Sequence, residues 1–265
     1  MLGSPFSFSA MLTRFHSSTA AAPVLLEPVP TVFPAIKGAE IAAVFVGKRV
    51  AGDFYDSIRV SPERVLIGLL DVAGRRQETR SLLVAAQEVF RTVGTKLFSP
   101  ADINESDAMT ELCLHINRRL IDVCCGVHSC PAFIACYHEN FGTLCYTNAG
   151  HTPALLHDSR GIAELPSTGL PLGLFSHATC EAPTAGMAGQ SSLLLVSRGV
   201  IDCEGRANGD SGGFGLERVK DAIQSEPRGG TARSLCDSVL KAVADFSGGS
   251  PVCDDRTALA LLRRA

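Results

Sequence analysis

Residues 50–76 read VAGDFYDSIRVSPERVLIGLLDVAGRR. Two short strands, 53–60 and 64–70, are predicted on either side of a Ser-Pro-Glu turn. Asp53 and Asp71 flank these strands, and glycines stand close to both. Carboxylates at strand ends suit hard cations that prefer oxygen ligands, because the backbone at glycine can approach an ion closely. An ordinary Asp-Gly turn is the simpler interpretation of either carboxylate taken alone.

The rest of the chain alternates between helical and strand-like patterns. Apolar residues at helical spacing predict helices over 77–96, 105–126, 216–223 and 231–246. Further strands are predicted over 41–46, 132–137, 143–147, 154–157, 192–196 and 257–262, and the Gly- and Pro-rich segment 166–190 is predicted as loop with at most one short strand. This order of elements predicts an α+β domain in which helices pack on sheets.

Composition limits the function classes. The net charge of −3 over 265 residues gives no support to a nucleic acid or an anionic membrane as partner. No apolar run approaches the roughly 18 residues of a membrane span. Several of the ten cysteines, such as Cys136 and Cys145, lie in apolar runs, so a reduced, cytoplasmic protein is expected. Residues 1–27 are expected to form a poorly ordered tail without a signal peptide, and residues 28–265 the domain.

A third acidic site precedes the last strand, at Asp254 and Asp255. If the strands lie side by side, Asp53, Asp71 and Asp254 converge at one end of a sheet. Oxygen ligands with no nearby cysteine or histidine favour Mg²⁺ or Mn²⁺ over zinc. Two such ions can bridge a water and a phosphate, which is the arrangement for metal-assisted phosphoester hydrolysis.

The order of motifs resembles the bacterial branch of the metal-dependent protein phosphatases (PPM), the SpoIIE/RsbU-like family. That family reads Gly-Gly-Asp-Phe-Tyr-Asp, Asp-Val-Ser-Gly-x-Gly, Asn-Ala-Gly-His, Gly-Leu-Pro-Leu-Gly, Thr-Asp-Gly, Phe-Gly and Asp-Asp-x-Thr. The corresponding residues here are 51–56, 71–76, 148–151, 169–173, 197–199, 214–215 and 254–257. The resemblance spans roughly residues 28–263, and seven motifs in order are far more specific than any one of them.

The resemblance implies a four-layer αββα sandwich of two antiparallel sheets. It implies metal-binding roles for Asp53, Asp71 and Asp254, with Asp71 bridging two ions and the Val72 carbonyl as a further ligand. In the family a metal-bound water attacks the phosphorus of a phosphoserine or phosphothreonine without a covalent intermediate. The implied partner is a phosphorylated regulatory protein, such as an anti-sigma-factor antagonist.

The chain departs from this pattern at Arg198, where the family has the aspartate of Thr-Asp-Gly. At roughly 4 Å and an effective dielectric constant near 20, each pair of unit charges is worth about 4 kcal/mol, so the change should weaken metal binding far more than tenfold. One interpretation is that Arg198 replaces an ion and pairs with Asp71 and Asp254 through bidentate hydrogen bonds. Asp202, four residues further on, is not expected to replace the lost carboxylate.

Arg76 is a second departure, because it stands where the family has a glycine. Its side chain either points to solvent or crowds the approach of the phosphate.

Two hypotheses from different classes follow. The chain is a Mn²⁺- or Mg²⁺-dependent phosphatase with impaired activity, or it is a pseudophosphatase that binds a partner protein without turnover.

Three further groups are candidate functional residues. Cys124, Cys125, His128 and Cys130 could bind zinc, but no second pair of ligands is evident, so buried thiols at a helix end are expected. His151 is expected to make a structural hydrogen bond in its turn. The glycines of 212–215 follow no convincing strand and do not predict a nucleotide-binding loop.

Overall fold

The computed structural model describes residues 27–47, 52–72, 74, 76–124, 128–205, 212–226, 229–248 and 254–264, with the side chains of 76–78 and 124 excepted. The strands are β1 (Ala39–Val46), β2 (Gly52–Arg59), β3 (Arg64–Val72), β4 (Ala132–His138), β5 (Thr143–Ala149), β6 (Ala154–Asp158), β7 (Gly161–Leu165), β8 (Thr184–Gly186), β9 (Ser192–Val196) and β10 (Arg256–Arg263). The helices are α1 (Arg76–Phe98), α2 (Glu105–Cys124), α3 (Arg198–Ile201), α4 (Gly215–Ser225) and α5 (Ala232–Ser247).

These strands form two antiparallel sheets of five strands each. One sheet has the order β1-β10-β9-β6-β7, and the other has the order β2-β3-β4-β5-β8. The register of β2 and β3 places Asp53 directly opposite Asp71. In the other sheet, β9 ends at Val196 and β10 begins at Arg256. These two strand ends lie beside this carboxylate pair.

Alternating side chains of the strands divide the core into three layers. Leu66 and Leu70 of β3 pack against α1 and α2, whereas Ile67 and Leu69 face the other sheet. The same alternation in the second sheet turns Leu194 toward α4 and α5. Successive side chains of a strand point to opposite faces of the sheet. Because both faces of these strands are covered, the side chains on both faces are apolar, which explains the continuous apolar runs. The predicted four-layer αββα sandwich is confirmed.

The N-terminal segment 27–36 is fastened to the domain through Asp56, which is only 1% exposed. Arg91 donates to both carboxylate oxygens at 2.7 and 3.0 Å, and Gln87 donates to one of them at 3.0 Å. The Thr31 hydroxyl donates to the Tyr55 carbonyl at 2.7 Å and lies 3.1 Å from the same carboxylate, and the Gln87 amide pairs with the Val29 backbone at 2.7 and 2.8 Å. A buried carboxylate with this many donors joins the segment, β2 and α1 into one unit.

Two elements were missed by the sequence analysis. Strand β7 has only one buried residue, so it lacks an apolar alternation, and it forms by backbone pairing with β6. Helix α3 has four residues, too few to show a helical period. The expected end of the second helix at Gly126 and the tail up to residue 26 lie outside the described residues. Among the helices that the structure describes, none is long and apolar enough to cross a membrane.

Candidate metal centre

The three predicted carboxylates lie together where the two sheets meet. The hydroxyl of Thr257, on β10, donates to Asp53 Oδ2 at 2.7 Å, which links the facing sheets. The backbone N–H of Arg198 donates to Asp71 Oδ2 at 2.9 Å. The peptide N–H of Asp255 donates to Asp254 Oδ1 at 2.8 Å. Each carboxylate therefore accepts a hydrogen bond from at least one identified donor.

The electrostatics of the cluster show a shortage of positive charge. Burial and, to a smaller extent, the charges of Asp71 and Asp254 together raise the pKa of Asp53 to about 7, against the lowering effect of the Ser197 and Thr257 side chains. Burial also raises the pKa of Asp254, with a further contribution from Asp71, whereas the Asp255 N–H and the charge of Arg198 act in the opposite direction. Such mutual repulsion is relieved by a proton or by a cation.

Two glycines allow the backbone to pack closely at this site. A Cβ at Gly52 would lie 2.4 Å from the Val72 carbonyl oxygen, across the β2–β3 pair. A Cβ at Gly199 would lie 2.1 Å from the carbonyl oxygen of Asp255. Both separations are far below van der Waals contact, so the glycine in each motif is required by packing beside a predicted ligand.

Arg198 does not pair with the cluster through its side chain. The guanidinium Nε lies 3.6 Å from Asp202 Oδ2, and the Arg198 side chain is 59% exposed. Within the described residues it makes no ion pair with Asp71 or Asp254, so the interpretation of bidentate neutralisation is wrong. The physical reason is local, because the backbone N–H of Arg198 occupies Asp71 while Asp202 stands one helical turn away.

The donor set fits a hard cation in kind but is thin in number. The carboxylates of Asp53, Asp71 and Asp254 and the Val72 carbonyl are all oxygen ligands, which suits Mg²⁺ or Mn²⁺. Over the described part of the chain, however, no three His, Cys, Asp or Glu side chains are grouped closely enough to hold one ion. Arg76 is the first residue of α1, and the orientation of its side chain lies outside what the structure describes.

Several residues of the site were not predicted as such. Ser197 Oγ accepts from the Thr257 N–H at 3.0 Å, and both side chains hydrogen-bond to Asp53. Both residues stand in motifs whose acidic residues predict the metal site, so the sequence alone does not single out these two hydroxyls as partners of Asp53. His151 makes the expected structural hydrogen bond, from its backbone N–H to Asn148 Oδ1 at 2.8 Å, and its imidazole lies near Asp71.

The structure describes the other two candidate groups in part, and a Cβ at Gly74 of the second motif would lie 3.5 Å from the His128 ring. Cys130 is buried, and its backbone pairs with Leu172 at 2.9 and 3.0 Å. Cys125 and the side chain of Cys124 lie outside the described residues. In the run 212–215, a Cβ at Gly213 would lie 2.6 Å from the Ile201 carbonyl oxygen, so this glycine serves the packing of α3.

Comparison with known proteins gives a family. The sequence model of the family described as Stage II sporulation protein E (SpoIIE) matches residues 61–264. Phosphoserine phosphatase RsbP of Bacillus subtilis (strain 168) is 27% identical over 154 residues, which is 58% of this chain and 37% of RsbP. The chain therefore spans little more than a third of that relative.

Solved structures share the fold. The SiaA-PP2C domain of Pseudomonas aeruginosa superposes with a TM-score of 0.70 at 17% identity, over 85% of this chain and 86% of that one. The PP2C phosphatase domain of SpoIIE from Bacillus subtilis, determined with a fragment of its regulatory domain, gives 0.66 at 13% identity, over 84% and 63%. Together with the motifs and the family match, these similarities show that the chain belongs to the SpoIIE family, the RsbU-like branch of the PPM phosphatases.

Proposed function

We propose that this domain hydrolyses phosphoserine or phosphothreonine on a regulatory protein, with Mn²⁺ or Mg²⁺ as cofactor, and that Arg198 impairs the reaction. The observation that carries the proposal is the electrostatic interaction of the buried Asp53 carboxyl with Asp71 and Asp254. Burial and mutual repulsion raise the pKa of Asp53 to about 7, so the cluster is short of positive charge. The domain is proposed to be residues 28–265.

The protein's own groups prepare the site. Thr257 and Ser197 hold Asp53, and the backbone N–H of Arg198 holds one oxygen of Asp71. Asp71 and the Val72 carbonyl would hold one ion, with Asp53 and Asp254 alongside. A bound divalent ion would supply positive charge to the phosphoryl oxygens and lower the pKa of a coordinated water.

The position of Arg198 favours weak activity over complete loss. Its guanidinium is 59% exposed and lies beside Asp202, so solvent screens its repulsion of a cation. The site nevertheless lacks the carboxylate that the family places at this residue. We therefore expect weakened metal binding, with one ion at Asp71 held better than a second.

The second candidate function is a pseudophosphatase that binds its partner without turnover. This function is favoured because, within the described residues, no three possible ligand side chains are close enough together to hold one ion. In both cases the partner is proposed to be a phosphorylated regulatory protein of the partner-switching type, such as an anti-sigma-factor antagonist. The name of RsbP, a phosphoserine phosphatase, supports this substrate class. The unbridged thiols of Cys113, Cys136, Cys145, Cys180 and Cys236 support a cytoplasmic location.

Phosphatase activity across a manganese titration tests the proposal. The substrates are p-nitrophenyl phosphate and a phosphoserine peptide, and the variants are the parent, Arg198→Asp and Arg233→Asp. Arg233 is a matched control, because it is an exposed arginine paired with Asp237 at the same i,i+4 spacing on α5. We expect slow, metal-dependent turnover by the parent and by Arg233→Asp, and at least ~tenfold faster turnover by Arg198→Asp.

Two results would decide against this proposal. If the parent and Arg198→Asp are both inert at saturating Mn²⁺, the phosphatase hypothesis fails and the binding hypothesis gains. If the parent turns over as fast as Arg198→Asp, the site is not impaired at residue 198. Asp71→Asn in the Arg198→Asp background should abolish any activity that belongs to this centre.

A further inference from the structure

His151 has a buried ring nitrogen without a hydrogen-bond partner, and it follows Gly150, which bridges Ala132 beside the Pro131 carbonyl that accepts from the Asp71 N–H at 2.9 Å. The residue is 5% exposed, and its Nε2 atom is among the buried polar atoms that contact no donor or acceptor in the described structure. The charge of Asp71 acts on the imidazole. Buried polar groups in folded proteins are nearly always paired, so this nitrogen requires a partner.

The turn that carries His151 is rigid, so the position of the ring is fixed. The backbone N–H of His151 donates to Asn148 Oδ1 at 2.8 Å, and the Asn148 amide donates to the Leu165 carbonyl at 3.2 Å. Gly150 has φ +70°, and a Cβ there would lie 2.5 Å from Pro171. These contacts fix the backbone of the turn, and burial together with the 3.0 Å contact of Nδ1 with the Thr152 carbonyl holds the ring.

The contacts of Thr152 determine which ring nitrogen carries the proton. The Thr152 hydroxyl donates its single proton to the Val196 carbonyl, so it has none to give to His151 Nδ1. Nδ1 must then carry its own proton, which it donates to the Thr152 carbonyl at 3.0 Å. Burial lowers the pKa of His151, which favours the neutral ring. Nε2 is therefore a hydrogen-bond acceptor.

We propose that Nε2 accepts a hydrogen bond from a water molecule that also donates to Asp71, which makes His151 a positioning residue for that carboxylate. No ion pair joins the ring and Asp71 within 4.0 Å, although the carboxylate charge reaches the ring. Two hydrogen bonds of about 2.8 Å in series span roughly 4 to 5.5 Å, and this is the separation between Nε2 and the Asp71 carboxylate that the proposed water requires.

The water would complete the restraint on Asp71. One oxygen, Oδ2, already accepts from the Arg198 backbone N–H. A donor on the remaining oxygen fixes the carboxylate plane, as the outer partners of metal ligands do. Only the consequence for metal binding rests on the proposed function, because the hydrogen-bond link itself exists without metal.

Nitrogen NMR of the histidine rings tests the link in the metal-free protein. The chain has seven histidines, and the signals of His151 are identified by their loss in His151→Gln. We expect a neutral ring protonated at Nδ1 at pH 7. We also expect Asp71→Asn to shift the Nε2 resonance, with little change at Nδ1. A ring protonated at Nε2, or an Nε2 chemical shift that does not change in Asp71→Asn, would overturn the proposal.

Manganese affinity, measured by calorimetry, separates positioning from a purely structural role. His151→Gln places an amide near the position of Nε2, whereas His151→Asn reaches only as far as Nδ1. We expect affinity within about threefold of the parent for the Gln variant and a 10- to 100-fold loss for the Asn variant. Equal affinities in two variants of equal melting temperature would overturn the positioning role. If the parent binds no Mn²⁺, the metal proposal fails, and the NMR result still decides the link.

Discussion

Replacing Asp53 by asparagine should stabilise the metal-free protein at neutral and alkaline pH. The pKa of the Asp53 carboxyl is about 7 in the folded state, against an ordinary value of 3.8. The folded state therefore binds this proton more tightly than the unfolded state does. As pH rises from about 4 to about 7, the unfolded state loses its proton first, so the free energy of unfolding falls.

The size of the effect follows from the difference between the two pKa values. Each pH unit in this window costs about 1.4 kcal/mol, and the full difference corresponds to about 4 kcal/mol. Asparagine removes the charge and keeps an oxygen that can accept from the Thr257 hydroxyl. We expect Asp53→Asn to be more stable than the parent by roughly 2–4 kcal/mol at pH 8, and about equal to it at pH 4.

Urea unfolding followed by far-UV circular dichroism, in EDTA at pH 4 and pH 8, measures this difference. Asp158→Asn is the control, because hydrogen bonds from Arg160 lower the pKa of Asp158 and removal of that carboxyl should not stabilise the protein at pH 8. Excess Mn²⁺ should stabilise the parent more than Asp53→Asn. If the parent and the Asp53→Asn variant have the same stability at pH 8, the claim that burial and neighbouring carboxylates destabilise the charged form of Asp53 is refuted.

Three further substitutions test the packing around the site. Asp56→Ala should cost roughly 3 kcal/mol of unfolding free energy and free the segment 27–36 to proteolysis, because Arg91 loses its buried partner; unchanged protease resistance would contradict this. Gly199→Ala should cost about 1–3 kcal/mol in a thermal melt, since its Cβ would meet the Asp255 carbonyl, and an unchanged melting temperature would contradict it. Asn117→Ala should cost about 2–4 kcal/mol of unfolding free energy in urea, because the Asn117 side chain hydrogen-bonds to the backbone of residues 173 and 175 at 2.8 and 2.9 Å. Thr92→Ala, at an exposed position of α1, is the near-neutral control.

The fold could be predicted from sequence because its signals are local. Helical spacing in α1 and α2 and the continuous apolar runs of β3 and β4 follow from burial on one or both faces. The exposed strand β7 carries no such signal, since backbone pairing with β6 alone specifies it. The N-terminal attachment was also missed, because it depends on contacts between residues more than 50 positions apart, such as Val29 and Gln87.

The site was predictable in its residues but not in its contacts. The motifs identified Asp53 and Asp71, and antiparallel pairing of the flanking strands brings them opposite each other. The side chain of Arg198 goes to Asp202, a choice between competing carboxylates that composition cannot decide. His151 comes near Asp71 only because the Asn148 turn joins β4 through the Ala132–Gly150 bridge, a contact that no local pattern encodes.

The number and affinity of bound Mn²⁺ ions in the parent, Arg198→Asp and Arg233→Asp test the central claim most directly. Calorimetry with electron paramagnetic resonance of free Mn²⁺ gives both quantities. We predict weak binding of one ion by the parent and by Arg233→Asp, and at least ~tenfold tighter binding with a second ion in Arg198→Asp. Identical stoichiometry and affinity in the parent and Arg198→Asp would contradict the claim that residue 198 limits this metal centre.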